Sequence, residues 1–225
     1  MPIPYAVFRP GKMLCPSCGA MLVRVADECH RCHFTAKVCL EKYPFQAQDL
    51  QRLIDPEERF ESRDRKRINR AANQFERRFP QTAVSICITR LPKGADAREF
   101  GYWLFNVSPP KSPEAAQRRY FTLLLVIDRA HRTAAATIGY GLDTFIDDGA
   151  LKKLLSSSRE HFQQGHYAEG ITHFLKATGK HLRDQYKEIS QNAAHWQEAQ
   201  LKSQSTPQHE QTTVTHDPHI VTKPA

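Results

Sequence analysis

The sequence predicts an α/β domain built on a small mixed β-sheet with helices around it, preceded by a small cysteine-rich module. Three observations predict this. Residues 121–127, Phe-Thr-Leu-Leu-Leu-Val-Ile, form an apolar run of strand length, the pattern of a strand covered on both faces. Residues 82–89, Thr-Ala-Val-Ser-Ile-Cys-Ile-Thr, are β-branched and apolar and read as a second interior strand. A polar, hairpin-sized stretch at 128–132 then leads into a third short strand at 133–138.

A chain of 225 residues has room for one medium domain and something small. With 40% hydrophobic and 25% charged residues it has the composition of an ordinary soluble protein. The opening Met-Pro-Ile-Pro-Tyr-Ala-Val-Phe carries no apolar leader core, and no segment approaches the ~20 apolar residues of a bilayer span. A cytoplasmic protein without a membrane span is therefore expected. Lys and Arg number 32 against 24 Asp and Glu, so the surface should attract anions, which alone does not define a nucleic-acid binder.

Four of the six cysteines fall in two C-x2-C pairs, Cys15-Pro-Ser-Cys18 and Cys29-His-Arg-Cys32, ten residues apart. Each pair can curl into a knuckle whose two sulfurs face one ion, and Gly19 suits the turn after the first. Together they supply the tetrahedral sulfur set that Zn²⁺ favours. Without a secretion signal, reduced thiolates holding a metal fit better than disulfides. Residues 1–45 have little core of their own, so the metal would supply most of their folding free energy. The pattern resembles a zinc ribbon with a structural Zn²⁺, since four thiolates leave no open position for water. His30 and His33 are alternative ligands, and more simply exposed members of the second knuckle. Cys39 and Cys87 lie outside the pattern, and Cys87 reads as a buried small hydrophobe.

Further along, Asp55-Pro56-Glu57-Glu58 has the chemistry of a helix start, with Asp at the cap and Pro at the first position. Ser62 with Asp64 offers a second start. Ile68, Ala71, Ala72, Phe75 and Phe79 recur at helical spacing until Pro80 ends the run. Arg59, Arg63, Arg65, Lys66, Arg67, Arg70, Arg77 and Arg78 fill the other faces. Glu57, Glu58, Glu61, Asp64 and Glu76 interleave with them and no aromatic residue offers a stacking platform, so a solvated, partly ion-paired face is expected. Residues 94–106 read as a helix with Phe100, Trp103 and Leu104 inward, and 107–113, with three prolines, as a loop. That crossover makes the first two strands parallel, and the hairpin makes the third antiparallel. Ala150, Leu151, Leu154 and Leu155 mark a helix after Asp148, and Ile171, Phe174, Leu175 and Leu182 mark another over 167–186. From about Gln191 apolar anchors are few, and 190–225 is expected to be a disordered tail.

The element order, with several specific residues, resembles the TPM domain family, typified by a thylakoid-lumen acid phosphatase and with many bacterial members. The resemblance covers roughly 55–183. It is carried by the segment 55–60, the strand AVSICI, the strand LLLVIDR, Gly-Tyr-Gly-Leu-Asp at 139–143, the Asp147-Asp148 turn and Gln-Gly-His-Tyr-Ala-Glu-Gly-Ile at 164–171. It implies a small mixed sheet sandwiched between helices over residues 55–188. It also implies cation binding by acidic residues or phosphatase activity in some members, and a role as an accessory or interaction module in others. Carried onto this chain, Asp143 stands where the family usually has Glu, Asp147 and Asp148 stand on its acidic helix start, and Asp128 follows its central strand.

Seven residues at ~3.3 Å each separate Asp128, at the hairpin turn, from Asp143 by roughly 20 Å, so these carboxylates cannot share one ion. Asp143, Asp147 and Asp148 form the tighter candidate site for a divalent cation such as Ca²⁺ or Mg²⁺, and Asp128 with Asp55 a weaker one at the opposite rim. The same residues are equally natural helix caps and turn formers. His161, His166, His173 and His181 do not make a helical i, i+4 ligand pair. Three functional expectations follow: an accessory or interaction protein with an unknown protein partner and a bound divalent cation; a metal-assisted phosphate-ester hydrolase; and a nucleic-acid-associated protein acting through the ribbon and the arginine-rich helix.

Overall fold

A computed structural model describes residues 14–22, 28–43, 50–108 and 113–204. The amino-terminal stretch read for a leader, the prolines at 109 and 110, and the part of the expected tail from 205 onward lie outside the described residues. The chain divides into two compact units, Met1–Gln185 and Tyr186–Ala225.

The sheet of the first unit has four strands in the order β1-β2-β3-β4. Its centre is β2 (Ala83–Thr89) and β3 (Thr122–Asp128), parallel and paired from Ala83↔Thr122 to Thr89↔Asp128. The hairpin brings β4 (Thr133–Ile138) back antiparallel on β3. On the other edge lies β1 (Leu53–Ile54), parallel to β2. The mixed sheet, its two central strands and its hairpin are as the sequence predicts. The two-residue β1 has too few residues to show any periodicity, and its pairing depends on β2.

Alternation of side chains along β2 and β3 creates two cores. Val84, Ile86, Ile88, Leu123, Leu125 and Ile127 point to one face. There they meet Ile68 and Phe75 of α2 (Ser62–Arg78), Leu154 of α5 (Asp148–Ser157), Phe162 of α6 (Arg159–Gln163), and Ile171 and Phe174 of α7 (Tyr167–Gln204). Cys87, Leu124 and Val126 point to the other face, against Phe100, Trp103 and Leu104 of α3 (Ala97–Val107) and residues of the cysteine module. The sheet is thus sandwiched between helical layers. Cys87 is buried as a small hydrophobe, and burial pushes its thiol up to about 12.

Local chemistry sets most helix ends. Asp96 caps α3 by accepting the N–H groups of Arg98 and Glu99 at 2.8 and 3.1 Å. The start of α2 differs from the reading at Asp55: the helix begins at Ser62. Asp55, its side chain 1% exposed, instead closes a turn by accepting from Arg59 and Phe60 N–H and pairing with Arg65 at 2.6 Å. Pairing of Ile54 with Cys87 holds the preceding residues extended, so the helix forms only after this turn. A short α4 (Pro113–Arg119), with Pro at its first position, follows the proline loop. The last helix continues through residues 191–204, where no apolar stripe announces it.

After β4 the chain turns at Gly139, where an added Cβ would lie 2.2 Å from the Arg119 carbonyl oxygen and 2.5 Å from that of Tyr120. The glycine is required by close backbone approach, and its N–H extends the sheet by donating to Thr122 O at 2.9 Å. Gly139→Ala is therefore expected to destabilise the first unit by about 1–3 kcal/mol, the cost of overpacking against backbone that cannot move aside. Urea unfolding would check it; a midpoint equal to the parent's would contradict this role.

Candidate metal centre

The two C-x2-C pairs fold into matching knuckles. In the first, Cys15 N–H donates to Ala20 O at 2.8 Å and Gly19 N–H to Cys15 O at 2.9 Å, with a bridge between Leu14 and Met21. In the second, Cys29 N–H donates to Phe34 O and His33 N–H to Cys29 O, both at 2.9 Å, with a bridge between Glu28 and Thr35. The residue after each second cysteine takes positive φ: 71° at Gly19 and 59° at His33. Glycine meets this demand at no cost. His33 meets it while its Nδ1 pairs with Glu28, at the exposed surface and outside the sulfur set. His30 is also exposed.

The four sulfurs converge. Cys15 and Cys32 Sγ are 3.6 Å apart, Cys18 and Cys29 Sγ 3.8 Å, and all four lie within 4.8 Å of one another. Tetrahedral thiolates at ~2.3 Å from a Zn²⁺ ion would stand ~3.8 Å apart, so the donor set fits such an ion in number, type and spacing. Cys15 and Cys29 are buried and Cys32 is exposed. Burial pushes the Cys15 thiol up to about 12 and also raises Cys32. At Cys29 burial acts the same way but is outweighed by the N–H donors of Arg31 and Cys32, which bring it down to about 7. Four thiolates in this space need a cation to offset their mutual repulsion.

The module is seated on α3. The helix α1 (Ala36–Lys42), capped by Thr35 through Val38 N–H at 3.2 Å, ends at Tyr43. The Tyr43 ring lies 5.5 Å from Phe100 and 5.8 Å from Trp103, and Phe34 meets Tyr102 edge-on at 5.8 Å. At the centre is Glu99, 5% exposed, which pairs with Lys42 Nζ and accepts from the Tyr43 hydroxyl at 3.3 Å. Arg98 also donates to Ser17 O, between the first two cysteines, at 2.9 Å. Sequence reading gave Glu99 no role. Its one signal is a carboxylate in the middle of an otherwise apolar helical face.

Among the described residues, the cysteines are the one group of three or more Cys, His, Asp or Glu side chains that converges closely enough to hold an ion. The aspartates are dispersed. Asp147 caps α5, accepting from Ala150 N–H at 2.6 Å, and Asp148 opens that helix with its carboxyl raised by burial and then by the charge of Asp147. Asp143 lies half-buried in the turn before them, its N–H directed at Tyr140 O at 3.4 Å. Asp128 and Asp55 sit at the opposite rim, each buried with its own donors. Asp128 accepts from Leu91 and Ala130 N–H and bonds His131 Nδ1 at 2.5 Å. Of the helical histidines, His173 Nδ1 bonds the buried Ser158 hydroxyl at 3.0 Å, its ring lies 5.6 Å from that of His161, and His181 Nε2 bonds Phe145 O at 2.9 Å.

A sheet between two helical layers, with a four-cysteine cluster seated on one of them, defines an α/β sandwich domain that carries a metal-type module. Residues 53–181 match the family model described as the TPM domain, and the chain belongs to that family. The match begins at the first residue of β1, so the cysteine module lies outside it. Three solved structures are similar in fold. An N-terminal domain from P. gingivalis is 18% identical with a TM-score of 0.49, over 64% of this chain and 87% of that one. The N-terminal domain of a Corynebacterium glutamicum protein is 14% identical with a TM-score of 0.43, over 80% and 95%. The BA42 protein of Bizionia argentinensis is 13% identical with a TM-score of 0.46, over 58% and 86%. No curated protein matches the sequence.

Two outcomes are expected from this geometry. Glu99→Gln should cost about 1–2 kcal/mol, discounted for the part-exposed Lys42, and should speed removal of bound metal by a chelator. Thermal unfolding and a chromogenic zinc-release assay read the two effects, and release at the parent's rate would separate α3 from the metal module. Asp147→Ala should cost about 1 kcal/mol for the lost cap, equally in Ca²⁺ and in EDTA; a cost that appears with Ca²⁺ alone would assign the residue to a cation site instead.

Proposed function

We propose that the four-cysteine module is a zinc ribbon holding a structural Zn²⁺, and that the chain acts as an accessory or interaction protein whose TPM domain is the platform for that module. The observation that carries this reading is the convergent four-sulfur donor set seated on α3, with every ligand position of a tetrahedral ion supplied by protein. Bound there, the ion would tie the two knuckles together. Cys15 and Cys29 would approach it from the buried side, and Phe34 and Tyr43 would hold the module on the helix. Reduced thiols in metal-binding spacing suit a reducing compartment, which supports a cytoplasmic protein. No helix among the described residues is long and apolar enough to cross a membrane.

The roles of the aspartates support capping and turn closure over cation binding or phosphate-ester hydrolysis. Asp147 is spent on a backbone N–H, and Asp55 and Asp128 each hold two N–H groups and a basic side chain. Elemental analysis of freshly purified protein tests the zinc assignment, with about one equivalent expected. Less than about half an equivalent in unchelated protein, or full zinc in a Cys15→Ser/Cys29→Ser variant, would refute it. Turnover of p-nitrophenyl phosphate with Mg²⁺, Mn²⁺ or Ca²⁺ should remain at background in the parent and in Asp143→Ala/Asp148→Ala alike. A rate abolished by those substitutions would restore the hydrolase reading.

A further inference from the structure

We infer that the outer face of α2, continued by α7, docks the phosphate backbone of duplex nucleic acid. Helical geometry sorts charges that the sequence interleaves. Ile68, Ala71, Ala72 and Phe75 face the core, while Arg63, Lys66, Arg70, Arg77 and Arg78 stand on the exposed arc. The carboxylates leave that arc. Glu76 turns inward to pair with Arg52 and accept Val84 N–H at 2.9 Å, and Asp64 is half-buried at the flank. None of the five basic side chains has an acidic partner among the described residues. Arg67, between them, pairs with Glu169 of α7. That contact, and the packing of Gly179 beside Phe75 and Phe79, sets α7 alongside α2, where exposed Lys176 and Lys180 extend the basic surface.

The face itself narrows the partner. Exposed aromatic and aliphatic side chains are absent from the α2 arc, the exposed Tyr186 lying farther along α7, so this arc lacks the residues that insert into a bilayer or anchor a protein hot spot. It also lacks stacking platforms for single-stranded bases. Four of the five cations are arginines, whose planar forks match phosphate oxygens. From Arg63 to Arg77 the arc runs ~21 Å at 1.5 Å per residue, a length over which a duplex presents about twelve phosphates. The inference rests on the interaction reading above, and does not depend on the metal.

The test is fluorescence anisotropy of the full chain with a short labelled duplex across a salt series. For five phosphate contacts, the logarithm of the binding constant should fall with that of salt at a slope of about −4 to −5. Arg63→Gln/Arg70→Gln/Arg77→Gln should weaken binding by about ten-fold or more and reduce the slope by about 3, with an unchanged circular dichroism spectrum. Lys37→Gln/Lys93→Gln, which removes two positive charges outside α2 and α7, should keep the parent's affinity. Absence of binding at low salt, equal affinity in the triple variant, equal loss in the control variant, or tighter binding to anionic vesicles or polyglutamate than to duplex would each overturn the inference. Zinc content measured on the same samples keeps the two readings apart: duplex binding by zinc-free protein would sink the metal assignment alone.

Discussion

Both helical layers depend on β3, a strand in which every residue from Thr122 to Asp128 is buried. Leu123, Leu125 and Ile127 close one core while Leu124 and Val126 close the other, so no position on the strand tolerates solvent. Such a strand must be flanked as well as covered, and β2 and β4 supply its pairing on the two edges. The layer formed by α2, α5, α6 and α7 then buries one side. On the other side α3 covers the sheet, and Phe34 and Tyr43 of the cysteine module extend that core through their ring contacts with α3.

That division gives the cysteine module a structural consequence beyond its own fold. Its core is continuous with residues of α3 and the sheet, and the Glu99 carboxylate sits at the join with Lys42 and Tyr43 as partners. A buried carboxylate without those donors would be costly, so the module and α3 are mutually required. A metal held by the four cysteines would order the knuckles and thereby support the α3 face of the domain as well. The family match ends short of the module, at β1, even though packing does not.

Electrostatics follow the same economy. Asp55 and Asp128, the most buried acids at one rim, are satisfied by N–H donors of their own loops and by Arg65 and His131. Glu76 is drawn inward by Arg52. Acidic groups are used to close turns and join elements, which leaves arginines on the outside of α2. Five exposed basic side chains are thereby gathered on one face of α2.

Much of this was legible in the residues. The double-sided burial of β3, the parallel β2, the hairpin to β4 and the two C-x2-C knuckles are written in local pattern, because strand period and knuckle spacing are properties of adjacent residues. Asp147 as a cap could be read for the same reason. What neighbours in sequence cannot encode is which distant group a polar side chain meets. Asp55 reads as a helix cap until β1 pairing holds its neighbours extended and Arg65 folds back on it. Glu99 has no role legible in the sequence until Lys42 and Tyr43 arrive from the module. The acids among the arginines of α2 read as ion-pair partners until Arg52 and Val84 take Glu76 inward. Burial of one partner by a segment far along the chain decides each case, and only the tertiary structure contains that partner.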